Sequence, residues 1–164
     1  MVFMRAFLHS TQLPRKKAMF QLNRIGMDVT VIYMFILLAI VSIPSLIDSL
    51  KISTGSIAEM NVFFVFIYFF FVYYLSLTFI VFVSLSVIAF IGTGISKLLQ
   101  RKIRFAILWK LCAYTTTLPL LFYTVIAFFL PVNQVYLWFL CAYTFFFLVK
   151  MITVFPRRKK RPRK

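Results

Sequence analysis

Long apolar stretches, separated by short polar or basic ones, divide this chain of 164 residues into four hydrophobic segments. A helix needs about 20 consecutive apolar residues to cross the hydrocarbon core of a bilayer, which is about 30 Å thick. Four segments meet this criterion, and the predicted spans are residues 29–47, 75–96, 111–130 and 135–155. The pattern therefore predicts an all-α integral membrane protein with four transmembrane helices.

The second apolar region is longer than one upright span requires. No charged residue occurs between Glu59 and Lys97, and a single helix over this stretch would be about 55 Å long. Its first part, residues 63–74, contains nine aromatic residues, and its conformation is left open between helical and extended. Two crossings are disfavoured because the stretch contains no proline and because they would separate the basic residues 97–110 from the other basic segments.

Basic residues are concentrated in alternate connecting segments. Five precede the first span, five surround the link between the second and third spans, and eight lie at the C-terminal end, whereas Lys51 alone lies in the first loop. Segments rich in Lys and Arg tend to stay in the cytoplasm. We therefore predict a multi-pass protein of the cell membrane, with both termini and the link around residues 97–110 on the cytoplasmic side.

The chain is predicted to consist of three consecutive parts. Residues 1–28 mix basic and apolar residues in a pattern that predicts amphipathic helices lying on the inner leaflet, the alternative being charge that only sets the topology. Residues 29–155 form the predicted four-helix transmembrane domain. Residues 156–164 form a basic tail that contains two prolines and is predicted to be disordered.

The chemistry that the chain can offer is limited by its composition. Of all residues 63% are hydrophobic and 13% are charged, and the sequence holds only three acidic residues and one histidine. Acid–base catalysis and metal binding need such groups in clusters. We therefore expect no enzymatic activity, no cofactor and no metal site, and Cys112 and Cys141 are interpreted as packing residues.

Candidate contacts with lipids or with a protein partner are of two kinds, basic residues near the membrane surface and polar or kinking residues in the third span. They are Arg15, Lys16, Lys17, Arg101, Lys102, Arg104, Tyr114, Thr117, Pro119, Arg157, Arg158, Lys159 and Lys160. The basic residues suit an anionic leaflet. Tyr114 and its neighbours are interpreted as packing residues whose threonines bond the carbonyl that Pro119 frees, the alternative being a hinge or a polar lining for a partner. Lys110 and Lys150 are interpreted as anchors whose side chains extend to the surface.

Two blocks of the sequence resemble an uncharacterised family of membrane proteins of low-GC Gram-positive bacteria, which often carry a maltodextrin-utilisation-like label. The first block is Leu13-Pro14-Arg15-Lys16-Lys17, followed by Phe20 and by Arg24-Ile25-Gly26. The second begins at Lys97-Leu98-Leu99, continues through Arg101-Lys102-Ile103-Arg104, Leu108-Trp109 and Ala113-Tyr114, and ends at Thr117-Leu118-Pro119. The resemblance implies a similar membrane topology and no established activity.

From the sequence we expect a non-enzymatic accessory or scaffold subunit that binds another membrane protein and is held on the inner leaflet by its basic segments. The alternative is a small oligomeric transporter or a lipid-handling membrane protein. The expected partners are anionic lipids of the inner leaflet and either a second membrane protein or further copies of this chain. No pattern indicates specific nucleic-acid binding, since the basic tail lacks interleaved aromatic residues and a recognition helix.

Overall fold

The structure, a computed structural model, describes residues 2–13, 15–56, 62–101, 103–129 and 135–155. The described residues form α-helices and no β-strand, which confirms the prediction of an all-helical fold. The helices are α1 (Val2–Thr11), α2 (Lys16–Arg24), α3 (Met27–Ser56), α4 (Val62–Tyr68), α5 (Leu75–Leu98), α6 (Phe105–Thr115), α7 (Thr117–Phe129) and α8 (Val135–Val154). A π-helical segment, Phe69–Tyr74, joins α4 to α5.

Three stretches are long and apolar enough to cross a membrane. They are Met27–Leu50 in α3, Phe63–Leu98 through α4 and α5, and Phe105–Phe129 through α6 and α7. The fourth apolar stretch, Trp138–Val154 in α8, is shorter than these. The helices are thus consistent with a location in the membrane.

The helices extend beyond several of the predicted spans. Helix α3 continues through Pro44 to Ser56, nine residues past the predicted end of the first span. Helix α6 begins at Phe105, six residues before the predicted start of the third span. The fourth prediction, residues 135–155, matches α8 within one residue.

The aromatic residues 63–74 are helical, which resolves the alternative between a helix and an extended segment. The whole stretch from Phe63 to Leu98 forms one helix of 36 residues. Residues Phe69–Tyr74, in the first third of this helix, are π-helical, and the Leu75 N–H donates to the Phe70 carbonyl five residues earlier. Two tyrosines of this segment bind α3, since the Tyr73 hydroxyl shares a hydrogen bond of 2.7 Å with Ser45 and Tyr74 donates to the Phe35 carbonyl over 3.0 Å.

The core lies where α3 packs against α6 and α7, and where α5 packs against α6 and α8. Its fully buried side chains are mainly long and aliphatic, and include Met34, Leu38, Leu85, Leu148 and Met151. Gly92 of α5 has no side chain to separate the helices and lies against Leu148 of α8. Small residues of this kind allow close helix packing in membranes.

The helices alternate in direction, so that one end of the bundle collects most of the described positive charge. The Phe20 and Phe155 rings lie 5.8 Å apart between centroids, which places the C-terminal end of α8 beside α2. The ammonium of Lys110 binds the carbonyl of Ile25, which places α6 beside the start of α3. We call this end, which holds α1, α2 and the link of residues 99–104, the basic end. Lys51, in the last turns of α3, is at the opposite end.

Candidate functional site

Tyr114 and Thr117 lie deep in the bundle, where hydroxyl pairs join the third apolar helix to α3. The Tyr114 hydroxyl lies 3.0 Å from Thr30 Oγ1, and the Tyr33 hydroxyl lies 3.0 Å from Thr117 Oγ1. Thr30 donates its own proton to the Gly26 carbonyl, so Tyr114 is the donor in the first pair. Both pairs are buried. The two pairs hold α3 to both sides of the break between α6 and α7.

The break between α6 and α7 falls at Thr116, one turn before Pro119. Proline lacks an N–H and therefore leaves the carbonyl four residues earlier, that of Thr115, without its helical donor. We predicted that the neighbouring threonines bond this carbonyl, and that prediction is wrong. The Thr115 hydroxyl donates to the Leu111 carbonyl over 2.7 Å, and the Thr116 hydroxyl donates to the Ala113 carbonyl over 2.8 Å.

Pro119 is buried in α7, and its own carbonyl accepts a hydrogen bond from the Tyr136 hydroxyl of α8. Tyr136 also packs on Tyr123, with 5.1 Å between the ring centroids. The candidate residues of the third span are therefore engaged by other helices of the same chain. This placement favours packing over a polar lining for a partner.

Lys110 does not extend to the surface, contrary to its interpretation as an anchor of that type. The residue is 9% exposed, and its Nζ donates to the carbonyls of Asn23 and Ile25, each over 2.8 Å. These carbonyls lie at the C-terminal end of α2, where a helix leaves acceptors unsatisfied and where a positive charge is favourable. Lys110 thus fixes α2, and with it the start of α3, to α6.

The basic candidate residues that the structure describes lie at the basic end. Arg15, Lys16 and Lys17 are exposed at the start of α2, and Arg104 is exposed just before α6. Arg101 is half-buried in the link after α5, and its Nε is buried without a hydrogen-bond partner. Lys102, Arg157, Arg158, Lys159 and Lys160 lie outside the described residues. Of the described members, Arg15, Lys16, Lys17 and Arg104 are exposed and Arg101 is not fully so.

The N-terminal segment forms two short helices as predicted, and one side of each packs on the rest of the protein. Helix α1 packs against α6 and α7, and α2 packs against α6. Ala6, Met19 and Leu22 are buried in these contacts. A second apolar set stays exposed, and it consists of Phe3, Met4, Leu8 and Phe20. The apolar side of the segment is therefore divided between the bundle and the surroundings.

A cavity of about 400 Å³ opens between α1, α2 and the first turn of α3. Its walls are formed by Arg5, His9, Gln21, Arg24, Ile25, Gly26 and Val29. We call it the basic pocket. Sequence reasoning missed it, although the spacing of four residues between Arg5 and His9 and of three between Gln21 and Arg24 already puts each pair on one helix face.

Two apolar surface features accompany these sites. A cleft of about 370 Å³ lies between α5 and α8, and its walls include Ile80, Ser84, Leu85, Trp138 and Cys141. The second feature, which we call the aromatic face, consists of the exposed aromatic side chains Phe64, Tyr68 and Phe71, which are four and three residues apart and so lie on one side of the helix. Within the described part of the chain, no group of three or more His, Cys, Asp or Glu residues is arranged to hold a metal ion.

Comparison with known protein families gives a match. The profile of a protein family described as a protein of unknown function (DUF1189) matches residues 49–152. The matched range contains the second of the two sequence blocks quoted above, and the first block precedes it. No curated protein and no solved structure matches the chain.

Proposed function

The chain belongs to the DUF1189 family of proteins of unknown function, and we propose that it is a non-enzymatic accessory subunit that binds another membrane protein. The observation that carries this proposal is the length of the helix from Phe63 to Leu98, together with the aromatic face on its N-terminal part. Basic residues at the other end hold the subunit to an anionic leaflet.

The helix is too long for the bilayer to cover. Its 36 residues extend about 54 Å, whereas the hydrocarbon core is about 30 Å thick. A tilt of 40°, at the upper end of the usual range, still leaves about 41 Å along the membrane normal. With Lys97 in the last turn at one membrane boundary, about 20 residues reach the other boundary near Leu77. Helix α4 then lies beyond the hydrocarbon, and the π-helical segment, whose Tyr73 and Tyr74 bind Ser45 and Phe35 of the first predicted span, lies at the boundary.

The part of the helix that projects carries large apolar side chains. Phe64 is 58% exposed and Phe71 is 61% exposed, while α3 covers other residues of the same segment. Contiguous apolar surface outside the hydrocarbon marks a protein interaction site, and aromatic residues dominate the energetics of such interfaces. We therefore assign the aromatic face to contact with a membrane protein partner whose surface reaches beyond the bilayer.

Site-specific photo-crosslinking in cells tests this assignment. A photoreactive residue at position 64 or 71 is expected to give one protein adduct of defined mass, because the partner covers both positions. The same residue at Phe90 or Phe122 serves as the control, since these exposed side chains lie within the predicted hydrocarbon region and are expected to react with lipid. Lipid adducts alone at position 64, or an identical mixture of adducts at all four positions, would contradict the proposal.

A matched pair of variants tests the same surface in a purified complex. Phe64→Ala together with Phe71→Ala is expected to abolish stoichiometric co-purification of the crosslinked partner in mild detergent. Phe90→Ala together with Phe122→Ala removes the same side-chain volume from other exposed positions and is expected to retain the partner. If both pairs of variants retain the partner equally, the aromatic face is not the interface.

The proposed topology has four spans, with both termini and the basic end in the cytoplasm. Two observations support it, namely the alternating directions of the apolar helices and the collection of basic residues at one end. Cysteine labelling tests it in a background where Cys112 and Cys141 are replaced by alanine. Gln134→Cys is expected to react with an impermeant reagent from outside the cell, and Thr11→Cys is expected to react only after permeabilisation. The reverse pattern would overturn the topology.

A lipid-handling role is the alternative, and the cleft between α5 and α8 favours it. Its walls are almost entirely apolar, and a volume of about 370 Å³ suits part of an acyl chain. This role predicts that purified protein accelerates phospholipid exchange between leaflets of a vesicle, and that Ser84→Trp, which fills the cleft, stops the acceleration.

The narrower relationship to Gram-positive, maltodextrin-utilisation-like proteins stays a prediction from the two sequence blocks.

A further inference from the structure

The basic pocket is formed by three helices that meet at one corner of the basic end. Arg5 and His9 extend from one face of α1, and Gln21 and Arg24 extend from one face of α2. The two helices pack against each other, so the two pairs of polar side chains converge on the same space. Its volume of about 400 Å³ lies within the range of small-molecule sites.

The walls of the pocket carry positive charge, and Asp28, in the first turn of α3 between the wall residues Gly26 and Val29, is not itself part of the walls. Neither Arg5 nor Arg24 makes a hydrogen bond or an ion pair there, and no acidic residue contributes to the walls. The Nδ1 atom of His9 is buried and has no hydrogen-bond partner. Buried polar atoms in proteins nearly always have a partner, and this unpaired atom belongs to a residue that forms part of the pocket wall.

The start of α3 adds hydrogen-bond donors to the same space. Gly26 and Val29 form part of the wall, and the first N–H that bonds within this helix is that of Thr30, which donates to the Gly26 carbonyl. The three preceding N–H groups, of residues 27–29, have no helical acceptor. The positive end of the helix dipole favours negative charge at this position, where the first turn of α3 already carries Asp28.

Exposed apolar side chains lie on the two helices that carry most of the pocket residues. Phe3, Met4 and Leu8 on α1 are 42%, 69% and 53% exposed, and Phe20 on α2 is 50% exposed. A free inorganic anion gains nothing from contact with apolar side chains, whereas the acyl chains of a phospholipid pack on them favourably. Guanidinium groups are suited to phosphate because they donate two parallel hydrogen bonds to its oxygens.

We propose that the basic pocket binds a phosphate ester, and that its source is the headgroup of an anionic phospholipid. Arg5 and Arg24 donate to the phosphate oxygens, the His9 imidazole and the first N–H groups of α3 complete the coordination, and the acyl chains lie along the exposed apolar residues of α1 and α2. The assignment depends on the location of the protein in a membrane and is independent of the proposed protein partner.

Lipid titration of the purified full-length chain tests the proposal. Dioctanoyl phosphatidylglycerol is added to the protein in a neutral detergent, and bound lipid is counted by native mass spectrometry, with dioctanoyl phosphatidylcholine as the reference lipid. We expect the anionic lipid to bind at one site with at least tenfold higher affinity than the zwitterionic lipid. Equal affinity for the two lipids would overturn the proposal.

Two charge-matched double variants separate a specific site from general attraction. Arg5→Gln with Arg24→Gln removes two positive charges from the pocket and is expected to lower the affinity for the anionic lipid at least tenfold. Lys97→Gln with Lys150→Gln removes two charges from exposed positions of the basic end and is expected to change the affinity less than threefold. Equal losses for the two pairs would show that the net charge binds the lipid, and would overturn the pocket.

Two further measurements complete the test. Inorganic phosphate is added as a competitor, because displacement of the lipid at millimolar concentration identifies the phosphate as the recognised group. Failure to compete, with the selectivity for the anionic lipid intact, identifies the esterified headgroup as the ligand. The lipid is also expected to raise the melting temperature of the original protein and of the Lys97 and Lys150 variant, but not that of the Arg5 and Arg24 variant. A similar rise in all three proteins would contradict the site even if the pocket variant folds less well.

Discussion

The backbone of Gly92 in α5 lies directly against the side chain of Leu148 in α8, so closely that a Cβ atom at position 92 would overlap Cδ2 of the leucine. Leu148 is fully buried, so it must shift within the packed interface to accommodate that atom. Gly92→Ala is therefore expected to force α5 and α8 apart and to lower the free energy of unfolding by about 1 to 3 kcal/mol, the usual effect of overpacking. A lower melting temperature in detergent would show it.

Gly94 provides the matched control, because a Cβ atom there meets nothing within 4 Å. Gly94→Ala is expected to leave stability unchanged or to raise it by up to about 1 kcal/mol through the higher helix propensity of alanine. Leu148→Ala introduced together with Gly92→Ala is expected to cost less than the sum of the two single substitutions, since it removes the overlapping atoms. If Gly92→Ala and Gly94→Ala change the melting temperature equally, close contact between α5 and α8 is not the reason for glycine at position 92.

Lys110→Met is expected to loosen the attachment of the N-terminal helices. The substitution keeps the apolar stem but removes the donor to the carbonyls of Asn23 and Ile25, which lie at the end of α2. Hydrogen bonds to charged groups contribute about 1.5 to 3 kcal/mol each, and the desolvation cost of the lysine offsets part of that contribution, so we expect a net loss of about 2 kcal/mol.

Limited digestion with trypsin measures this loosening directly. Cleavage at Arg15, Lys16 and Lys17 is expected to become several times faster in Lys110→Met, because α2 separates from α6 more often. Lys97→Met is the control, since Lys97 is exposed and makes no hydrogen bond with the rest of the described chain through its ammonium. Unchanged cleavage in the Lys110 variant would mean that apolar packing alone holds α2.

The hydrogen bond between Tyr114 and Thr30 is expected to show up as an energetic coupling between the two residues. Thr30→Val leaves the buried Tyr114 hydroxyl without its acceptor and is expected to cost about 1 to 3 kcal/mol. Once Thr30 is gone, Tyr114→Phe is expected to cost little or to recover part of the loss, because the unpaired group disappears. A double-mutant cycle of unfolding free energies should therefore give a coupling of about 1 kcal/mol. Tyr143→Phe, which removes a half-buried hydroxyl with no hydrogen bond in the described chain, should have no measurable effect.

The sequence predicts the helices well where polar residues coincide with helix ends, and poorly where they do not. Helix α8 is flanked by polar residues on both sides, and its bounds match the predicted fourth segment, residues 135–155, within one residue. Asp48 and Lys51 suggested a loop, yet α3 continues to Ser56, because hydropathy marks where a helix leaves an apolar environment and not where its hydrogen bonds end. The predicted start of the third span is six residues too late for a related reason, because the prediction places the charge of Lys110 outside the helix. Its charge is satisfied by carbonyls about 85 residues earlier in the chain, and a local pattern cannot show this.

The candidate site shows the same limit more strongly. Tyr114 and Thr117 are predicted candidate residues because they are polar residues in an apolar segment. Their hydrogen-bond partners, Thr30 and Tyr33, each lie 84 residues away in the sequence. The basic pocket depends on how α1 and α2 pack against each other, which neither helix encodes in its own periodicity. Sequence reasoning identified the polar residues that need partners, and only the packing of the helices shows which partners they have.

Gln100 ends α5 in a backbone conformation that normally belongs to glycine. Its φ is +53°, and the two hydrogen bonds that close the helix surround it, Gln100 N–H to the Lys97 carbonyl over 3.0 Å and Arg101 N–H to the Ser96 carbonyl over 2.8 Å. This pattern is a Schellman cap, in which the left-handed residue is usually glycine because a Cβ atom costs about 1 to 2 kcal/mol there. Gln100→Gly is therefore expected to raise the unfolding free energy by about 1 kcal/mol, less the extra entropy of the unfolded chain.

A second glutamine, Gln21, tests whether the left-handed backbone conformation of Gln100 is responsible for the expected gain in stability. Gln21 lies inside α2 and is exposed, so Gln21→Gly is expected to destabilise the protein by up to about 1 kcal/mol through its lower helix propensity. The same substitution should thus shift the melting temperature upward at position 100 and downward at position 21. A downward shift at both positions would indicate that the glutamine side chain, and not the left-handed backbone, determines how α5 ends. In that case the link of residues 99–104 would owe its shape to side-chain contacts, and Gln100→Ala would be as destabilising as Gln100→Gly.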